Sequence, residues 1–478
     1  MAFRNEIRFI LNNKIICLSD VSPSLNLLDF LRIEQGLSGT KEGCNEGDCG
    51  ACTVLVGRLK NGELVYENIN ACLRFVASLD LCHIVSIEHL KSKDGTLHPI
   101  QQKMIDYHAS QCGFCTPGII MSLYGLFMSQ EKVKKSDIIK ALQGNLCRCT
   151  GYEPIIKAAL EIAKNKDFKK DILNKKQKEI LQKLKKLDDK KTVQIFNEGG
   201  NIFIPKSLND FAIQLEKKPK SKIIAGATDI SLWIKDNFCP KLDYIFIGNL
   251  SDLKQIKETK KSLSLGANIT YFEAKEIMLK HFPFLSDFWF RIGGAQIRNM
   301  GTIGGNIANG SPIADMAPPL IALGAELVLQ KGKTKRKVAL EDFYISYGKQ
   351  DLKQGEFVKT INIPLVLGEE KLATYKISKR KDEDISTLCG AFNFTIKNNK
   401  IIKVKIVYSG LAAKVTRAKK AEEILLNQTF NEKIIKKAAN SLEQTFTPIN
   451  DLRASADYRM LVAKNLLKKF YFEHSEGK

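Results

Sequence analysis

The sequence predicts an α+β protein built from several domains. Up to about residue 90, apolar and polar residues alternate as they do in strands, around one short helix. Between residues 91 and 163 that alternation stops and four helices are predicted. From residue 193 onward, strands run into glycine-rich turns and helices again. We therefore divide the 478 residues into domains at 1–90, 91–163, 193–370 and 371–478, with a lysine-rich linker at 164–192.

The composition limits the classes of partner and compartment. The formal net charge is +22, so a nucleic-acid or anionic partner has to be considered. Lysine is spread over most surface-like segments, however, which favours an ordinary basic surface, and we expect no nucleic-acid partner. The N-terminus carries no apolar signal segment and no apolar run reaches membrane-spanning length, so we expect a cytoplasmic protein without membrane contact. In that compartment the twelve cysteines are expected to be thiols or metal ligands.

The first domain begins with a strand, a turn at Asn12 and Asn13, and a second strand ending at Leu18. Pro23 and Ser24 then open a helix with leucines on one face, which Gly36 ends. Further strands are predicted at 53–56, around Val65 and at 84–87. A hairpin, one helix and more strands predict a small α+β domain.

The loop after that helix contains Cys44, Cys49 and Cys52, and Cys72 follows further along the chain. This C-x4-C-x2-C spacing is typical of plant-type 2Fe-2S ferredoxins, in which each iron takes two thiolates. Gly43, Gly47 and Gly50 would permit the positive φ angles and close approach of a loop wrapped around a cluster. The alternative is structural zinc, which prefers widely separated C-x2-C pairs, or ordinary core cysteines.

A second set of cysteines lies in two turns between the predicted helices. The first of these helices spans about 100–108, and the second begins after Pro117. The third begins at Ser136, whose hydroxyl caps it, and the fourth begins after Pro154. Cys112 and Cys115 occupy one turn and Cys147 and Cys149 another. Ligand pairs of the C-x-C type are unusual for structural zinc, so a second 2Fe-2S cluster is favoured.

Other polar and cysteine residues carry weaker signals. The linker lacks interleaved aromatic residues, which favours a solvated connector over an RNA-binding or membrane-binding arm. Four cysteines outside the two sets are expected to be buried apolar residues: Cys17, Cys82, Cys239 and Cys389.

The region from residue 193 contains two segments suited to a nucleotide. Residues 223–230 predict a buried strand, a glycine turn and a helix. Residues 293–312 are too glycine-rich to predict an ordinary helix, and their amides could form a nest for a pyrophosphate. Asp315 could accept ribose hydroxyls, although a purely structural glycine-rich turn is the alternative. The pattern is not G-x-G-x-x-G, so a Rossmann fold is not predicted. A last α/β region runs from about residue 374 to the end.

Together these motifs resemble the xanthine dehydrogenase family of molybdenum hydroxylases. The cysteine motifs are highly specific, and the resemblance covers nearly the whole chain. It extends over the first cysteine loop, residues 71–73, 111–118 and 147–152, and the glycine-rich run with Ser311, Pro312 and Asp315. The chain ends where the family's large molybdopterin domain would begin, so the resemblance implies the iron–sulfur and FAD subunit of a two-chain bacterial member.

The resemblance implies a fold, cofactors and partners. A β-grasp ferredoxin-like domain would hold one 2Fe-2S cluster on Cys44, Cys49, Cys52 and Cys72. A helical domain would hold the other, nearer the partner's molybdenum, on Cys112, Cys115, Cys147 and Cys149. An α+β FAD domain and a C-terminal subdomain would follow. Hypoxanthine and xanthine would be oxidised to urate on a molybdopterin-binding large subunit, and electrons would pass through the helical-domain cluster, the β-grasp cluster and FAD to NAD+. A dimer of heterodimers is implied.

The family's flavin contacts fall on these positions of the sequence: Ile223, Ile224, Ala225, Gly226, Ala227, Thr228, Asp229, Ile230, Ile292, Thr302, Ile303, Gly304, Gly305, Asn306, Asp315, Val358 and Lys376. Two departures stand out. The family often has Gly-Asn-Thr-Glu where this chain has residues 226–229, and Ile292 replaces an aromatic of animal members. No catalytic acid or base is assigned, because hydride transfer from a flavin needs position and electrostatics from the protein.

Two other functions remain open from the sequence. A related molybdenum hydroxylase acting on an aldehyde or an N-heterocycle would share this chain's architecture, because the substrate pocket would lie on the partner. A basic zinc-binding nucleic-acid module would instead predict zinc, no flavin and salt-dependent nucleic-acid binding.

Overall fold

The computed structural model describes residues 2–92, 94–164, 171–235, 243–366 and 368–475. The chain forms two compact units. The first comprises Met1–Leu250 and Gly293–Gly301, and the second comprises Ser251–Ile292 and Thr302–Lys478. In both units helices pack on mixed or antiparallel sheets, so the α+β multidomain prediction is confirmed.

The first unit begins with a five-stranded sheet in the order β3-β2-β6-β4-β5. The predicted hairpin with its turn at Asn12 is present, and β2 and β6 pair in parallel while the other neighbours are antiparallel. The helix begins at Leu27, where Asn26 caps it, and continues as a π-helical turn over Phe30–Glu34. The elements are β1 (Phe3–Arg4), β2 (Ile7–Leu11), β3 (Lys14–Leu18), α1 (Leu27–Asp29), β4 (Thr53–Lys60), β5 (Glu63–Asn70) and β6 (His83–Val85).

The predicted helical region follows. Its helices are α2 (Pro99–Asp106), α3 (Thr116–Ser129), α4 (Lys135–Ala141), α5 (Glu153–Lys164) and α6 (Ile172–Leu187). The predicted cap at Ser136 is wrong, because α4 begins one residue earlier and Asp137 accepts the Lys134 amide. Helix α6 lies in the lysine-rich linker and buries Leu173, Ile180 and Leu184 in the core of this region, so this part of the linker is a packed helix.

A second sheet of the first unit, in the order β1-β7-β8-β10-β9, contains the N-terminal strand beside later segments. Strand β1 pairs in parallel with β7, and β9 leads through residues 225–229 into α8, as predicted. The elements are β7 (Thr192–Ile195), β8 (Ile202–Ile204), α7 (Leu208–Lys217), β9 (Lys222–Ile224), α8 (Ile230–Lys235) and β10 (Tyr244–Phe246).

The second unit opens with a five-stranded antiparallel sheet in the order β11-β12-β17-β13-β14 and a two-stranded sheet of β15 and β16. Helix α11 (Ala295–Met300) lies within this stretch of sequence but belongs to the first unit. The elements are β11 (Ile256–Glu258), β12 (Ser262–Gly266), α9 (Tyr271–His281), α10 (Ser286–Phe290), α11 (Ala295–Met300), α12 (Ile303–Asn309), α13 (Ala317–Leu323), β13 (Glu326–Lys331), β14 (Thr334–Ala339), α14 (Leu340–Phe343), β15 (Tyr344–Ser346), β16 (Lys349–Gln350) and β17 (Phe357–Pro364).

The C-terminal part of the second unit is a four-stranded antiparallel sheet, β18-β19-β20-β21, with helices packed on it. Its elements are β18 (Glu370–Ile377), β19 (Leu388–Lys397), β20 (Lys400–Ser409), β21 (Thr416–Arg417), α15 (Lys419–Leu425), α16 (Glu432–Asn440) and α17 (Ala456–Ser475). Across the described ranges, no helix combines the length and apolar character that a bilayer span requires.

Candidate iron–sulfur and flavin sites

The first cysteine set lies at one end of the first sheet. Cys44, Cys49 and Cys52 occupy the loop before β4, and Cys72 follows β5. The Sγ atoms of Cys52 and Cys72 are 3.4 Å apart and both residues are buried. The amides of Glu46, Asp48 and Cys49 donate to Cys44 Sγ at 3.3–3.4 Å. The loop therefore supplies four sulfurs and amide donors aimed at one of them.

Glycine is required in this loop for two different reasons. Gly47 and Gly50 have φ angles of 83° and 66°, in the left-handed region. At Gly50 a Cβ atom would also lie 1.9 Å from the Gly144 carbonyl oxygen. Gly43 lies outside the left-handed region, contrary to expectation, but a Cβ there would lie 2.7 Å from Cys49 Sγ. Glycine is therefore needed at position 43 only because the Cys49 sulfur lies so close to it.

The surroundings of Cys44 favour its thiolate form. The Cys49 side chain lowers the pKa of Cys44 to about 5, with help from the three amides and against the effect of burial. The neighbouring Cys52 and burial raise the pKa of Cys72, and the Lys235 charge opposes that rise. A positive metal centre would overcome these penalties, because cysteine binds metals as the thiolate.

The second cysteine set is more exposed. Cys112 and Cys149 are exposed, with their Sγ atoms 3.6 Å apart, whereas Cys147 is buried. Thr150 Oγ1 lies 3.1 Å from Cys147 Sγ. Tyr152 OH accepts from the Cys147 amide at 2.8 Å and so holds this turn. The turns precede α3 and α5, whose N-termini favour negative charge.

The side chains in both sets suit a 2Fe-2S cluster. Close pairs form: Cys44 with Cys49, Cys52 with Cys72, Cys112 with Cys149, and Cys115 with Cys147. Two thiolates per iron is the arrangement such a cluster needs. Within the ranges that the structure describes, no group of three or more His, Cys, Asp or Glu side chains surrounds a single ion position. Each cysteine set therefore provides the two thiolate pairs that a 2Fe-2S cluster takes.

A buried network that the sequence analysis missed joins the two cysteine loops. Leu146 N donates to Cys49 O at 2.9 Å, and Asn145 Nδ2 donates to Gly50 O at 3.0 Å. Gln296 Nε2, from α11, lies 3.0 Å from Thr53 Oγ1 and 3.1 Å from Asn145 Oδ1. Its side chain is also 3.3 Å from Ser122 Oγ. We name Gln296, Asn145, Ser122 and Thr53 the amide network; no sequence pattern pointed to it.

The first unit also contains the predicted flavin positions 223–230. Residues 225–229 connect β9 to α8. A Cβ at Gly226 would lie 1.8 Å from the Met300 carbonyl oxygen, so a larger residue would not fit there. Ala227 has a φ of 65°, in a region that glycine and asparagine adopt more readily. The departure from the family's motif thus falls on a strained turn.

The glycine-rich run is helical, contrary to expectation. It forms α11 and α12, separated at Gly301 and Thr302. The amides of residues 303 and 304 donate to Ile269 O and Ala267 O, and those of residues 305 and 306 donate to Thr302 Oγ1 and O. The amides of residues 303–306 therefore already have acceptors within the protein and do not form an open nest, and flavin contact at these positions stays a prediction. The sequence analysis missed these acceptors, because Ile269 and Ala267 are distant in the chain.

In the second unit several predicted flavin residues converge. Lys376 Nζ lies 2.6 Å from Asp315 Oδ2 and donates to Arg291 O, the neighbour of Ile292, at 2.9 Å. Ser386 Oγ donates to the other Asp315 oxygen, and Arg291 Nη1 donates to Lys376 O at 2.7 Å. We name Asp315, Lys376, Arg291 and Ser386 the ion-pair network. The sequence analysis missed Arg291 and Ser386.

Two more predicted positions lie in the second unit. Asn306 Oδ1 is buried and has no hydrogen-bond partner among the described residues. Such an orphaned acceptor fits a donor on a bound cofactor. Val358 is buried in β17, opposite Leu329 at a break in register. The second-unit positions thus include one unpartnered acceptor among the described residues, while flavin contact by Val358 stays a prediction.

The remaining cysteine predictions divide. Cys82 and Cys389 are buried, as expected, whereas Cys17 is exposed on β3, so that prediction is wrong. Cys239 lies outside the described residues. Strand β3 is the edge of its sheet, and its alternate residues face solvent.

Four protein-family models match the chain in order. They are the 2Fe-2S iron–sulfur cluster binding domain at 12–76 and the 2Fe-2S binding domain at 86–160. The FAD binding domain in molybdopterin dehydrogenase matches 195–366, and the CO dehydrogenase flavoprotein C-terminal domain matches 373–474. These matches contain both cysteine sets and all the predicted flavin positions.

Relatives agree with these matches. Xanthine dehydrogenase of Drosophila subobscura is 28% identical over 489 residues, covering 91% of this chain and 36% of its own length. That of Emericella nidulans is 29% identical, covering 98% and 38%. The chain therefore spans less than half the length of these relatives. A solved carbon monoxide dehydrogenase chain from Hydrogenophaga pseudoflava is 26% identical with a TM-score of 0.54, covering 56% of this chain and 94% of that one.

The order of the four domains, together with the paired cysteines, identifies the chain at the level of a family. The chain is an iron–sulfur and flavin-binding member of the molybdenum hydroxylase family of oxidoreductases.

Proposed function

We propose that this chain is the iron–sulfur and FAD subunit of a cytoplasmic xanthine dehydrogenase. In this proposal a separate molybdopterin-binding large subunit oxidises hypoxanthine and xanthine to urate, and this chain delivers the electrons to NAD+. The observation that carries the proposal is the match of 91–98% of the chain to proteins named xanthine dehydrogenase. The dimer of heterodimers belongs to the same proposal.

The residues of this chain have defined parts in the proposal. The first cysteine set would hold one 2Fe-2S cluster and the second set the other. In the first unit residues 223–230 would contact the flavin. In the second unit Ile292, residues 302–306, Asp315, Val358 and Lys376 would do so. When bound, these groups supply one-electron transfer and, at the flavin, hydride transfer.

The protein itself supplies charge stabilisation and position. The amides aimed at Cys44 stabilise negative charge on its sulfur. Burial of Cys52 and Cys72 keeps water from that side of the first set. The hydrogen bond from Leu146 to Cys49 fixes the spacing of the two cysteine loops.

The second candidate is a related hydroxylase acting on an aldehyde or an N-heterocycle. The similarity to a carbon monoxide dehydrogenase chain supports this candidate, because the name of that enzyme indicates that a chain of similar fold serves a substrate other than xanthine. Both candidates assign the same work to this chain.

The first experiment uses the purified chain alone. We expect about four irons and one FAD per chain, and NADH-dependent reduction of a dye. Zinc in place of iron would contradict the cluster assignment. Bound FAD without NADH-dependent dye reduction would contradict the assignment of NAD+ as acceptor.

The second experiment adds the large subunit and compares substrates. We expect NAD+ reduction with xanthine and hypoxanthine and little with aldehydes or quinoline-like heterocycles. The reverse preference would select the second candidate. The mass of the complex in solution tests the dimer of heterodimers.

A further inference from the structure

A lysine distant in sequence contacts the first cysteine loop. Lys235 is the last residue of α8, and its Nζ donates to Asn45 O at 2.8 Å and to Asn45 Oδ1 at 2.7 Å. Asn45 directly follows Cys44 and has a φ of 58°. Two hydrogen bonds to one residue therefore fix the ammonium group against the loop between Cys44 and Cys49.

The loop itself is rich in negative charge. It contains the carboxylates of Glu42, Glu46 and Asp48 and the sulfurs of the cysteine set. The loop's own Lys41 is engaged with Ser38 O at 2.9 Å. Lys235 thus brings a cation from outside the loop to a site where negative charge accumulates.

Reduction adds one negative charge to a cluster held by these sulfurs. A cation held nearby lowers the free energy of the reduced form more than that of the oxidised form. Cluster potentials depend on net charge, hydrogen bonds to sulfur and solvent exposure. Lys235 would change the net charge near the cluster, whereas the amides at Cys44 donate hydrogen bonds to sulfur.

We propose that Lys235 is a positioning residue that raises the reduction potential of the cluster on Cys44, Cys49, Cys52 and Cys72. The inference rests on the proposed function only in requiring a cluster at these cysteines. The charge at the end of α8, the helix that follows residues 225–229, thus contributes to the reduction potential of the first cluster.

The test is an EPR-monitored redox titration of the full chain carrying Lys235→Met, which keeps an unbranched side chain one atom shorter and removes the charge. We expect the first cluster to become about tenfold harder to reduce, a fall of about 59 mV for a one-electron couple. The second cluster should be unchanged and serves as an internal control. A Cys149→Ser variant, with the second set incomplete, assigns the first cluster's signal.

Further variants separate charge from loop geometry. Lys235→Arg keeps the positive charge, so its first cluster should have nearly the reduction potential of the unaltered chain. Asn45→Gly suits the positive φ and removes one of the two acceptors of Lys235 while keeping the charge and the backbone acceptor, so it should shift the potential less than Lys235→Met. Lys157→Met neutralises an exposed lysine on α5, paired with Glu153 at 3.7 Å, and should shift neither cluster.

The outcomes are distinct. Full iron content in Lys235→Met with an unshifted first cluster would overturn the inference. A shift in Lys235→Arg as large as that in Lys235→Met would also overturn it, because loss of the positive charge would then not explain the effect. Absence of iron from the unaltered chain would instead overturn the proposed function.

Discussion

The amide network of the first unit and the ion-pair network of the second solve similar problems with different chemistry. Both hold distant segments by buried polar side chains. Gln296, Asn145, Ser122 and Thr53 are all neutral, whereas Asp315 and Lys376 carry opposite charges and Lys376 is 1% exposed at its side chain. The neutral network needs no compensating charge, whereas each buried charge of the ion pair depends on its partner. The comparison teaches that loss of one partner should cost more unfolding free energy in the charged network than in the neutral one.

The largest effect is expected from breaking the ion pair. Asp315→Asn leaves Lys376 buried without its counter-charge, so we expect a loss of about 3–5 kcal/mol in the unfolding free energy of the second unit. Calorimetry of the full chain measures it, with flavin content as a second readout. Adding Lys376→Met should recover part of the loss, because both charges are then removed.

The matched control for that variant is Asp384→Asn. Asp384 pairs with Arg380, whose side chain is 53% exposed, so its loss should cost at most about 1 kcal/mol. Equal costs for the two variants would contradict the comparison.

A smaller effect is expected from the amide network. Gln296→Ala removes the donor to Thr53 and Asn145, so we expect the first unit to lose about 1–3 kcal/mol of unfolding free energy. Denaturant titration measures it. Gln102→Ala, on the exposed face of α2, should change stability by no more than about 0.5 kcal/mol. A cost as large as that of Asp315→Asn would show that neutral and charged networks do not differ.

The smallest effect is the loss of unfolding free energy expected when the pH is lowered. Burial lowers the pKa of His83 to about 4, and its ring is hydrogen-bonded to Tyr66 OH and Asn12 O. The unfolded chain binds this proton near pH 6.5, so the unfolded state gains protons first and stability falls as pH falls from 6.5 toward 4. We expect a loss of about 1 kcal/mol at pH 6.

Denaturant titration at pH 7.5 and pH 6 measures this acid effect. His83→Gln should flatten the pH dependence, although burial also lowers the pKa of His89 and part of the slope should remain. His108→Asn, an exposed position with a φ of 51°, should keep the slope of the unaltered chain. An unchanged slope in His83→Gln would assign the effect to other groups.

Much of the fold could be predicted because its signals are local. The hairpin at Asn12, the strands around Val65 and the helix after Pro117 follow from alternation and turn residues. The cysteine spacings predicted two sets of four cysteines, and the structure brings the members of each set into close pairs that the spacings did not predict. The glycine-rich run was misjudged as non-helical, because its glycines serve close packing instead: a Cβ at Gly304 would lie 2.4 Å from Ala267 O.

The sequence by itself determined the α+β class and the two cysteine sets, since spacing along the chain is what a cluster loop requires. Only the tertiary structure decided that Gln296 lies between the two cysteine loops and that Lys235 contacts Asn45. It also decided that Arg291 and Ser386 complete the network around Asp315. The physical reason is that these contacts join residues dozens to hundreds of positions apart. Side chains of ordinary type acquire such partners only when the chain folds.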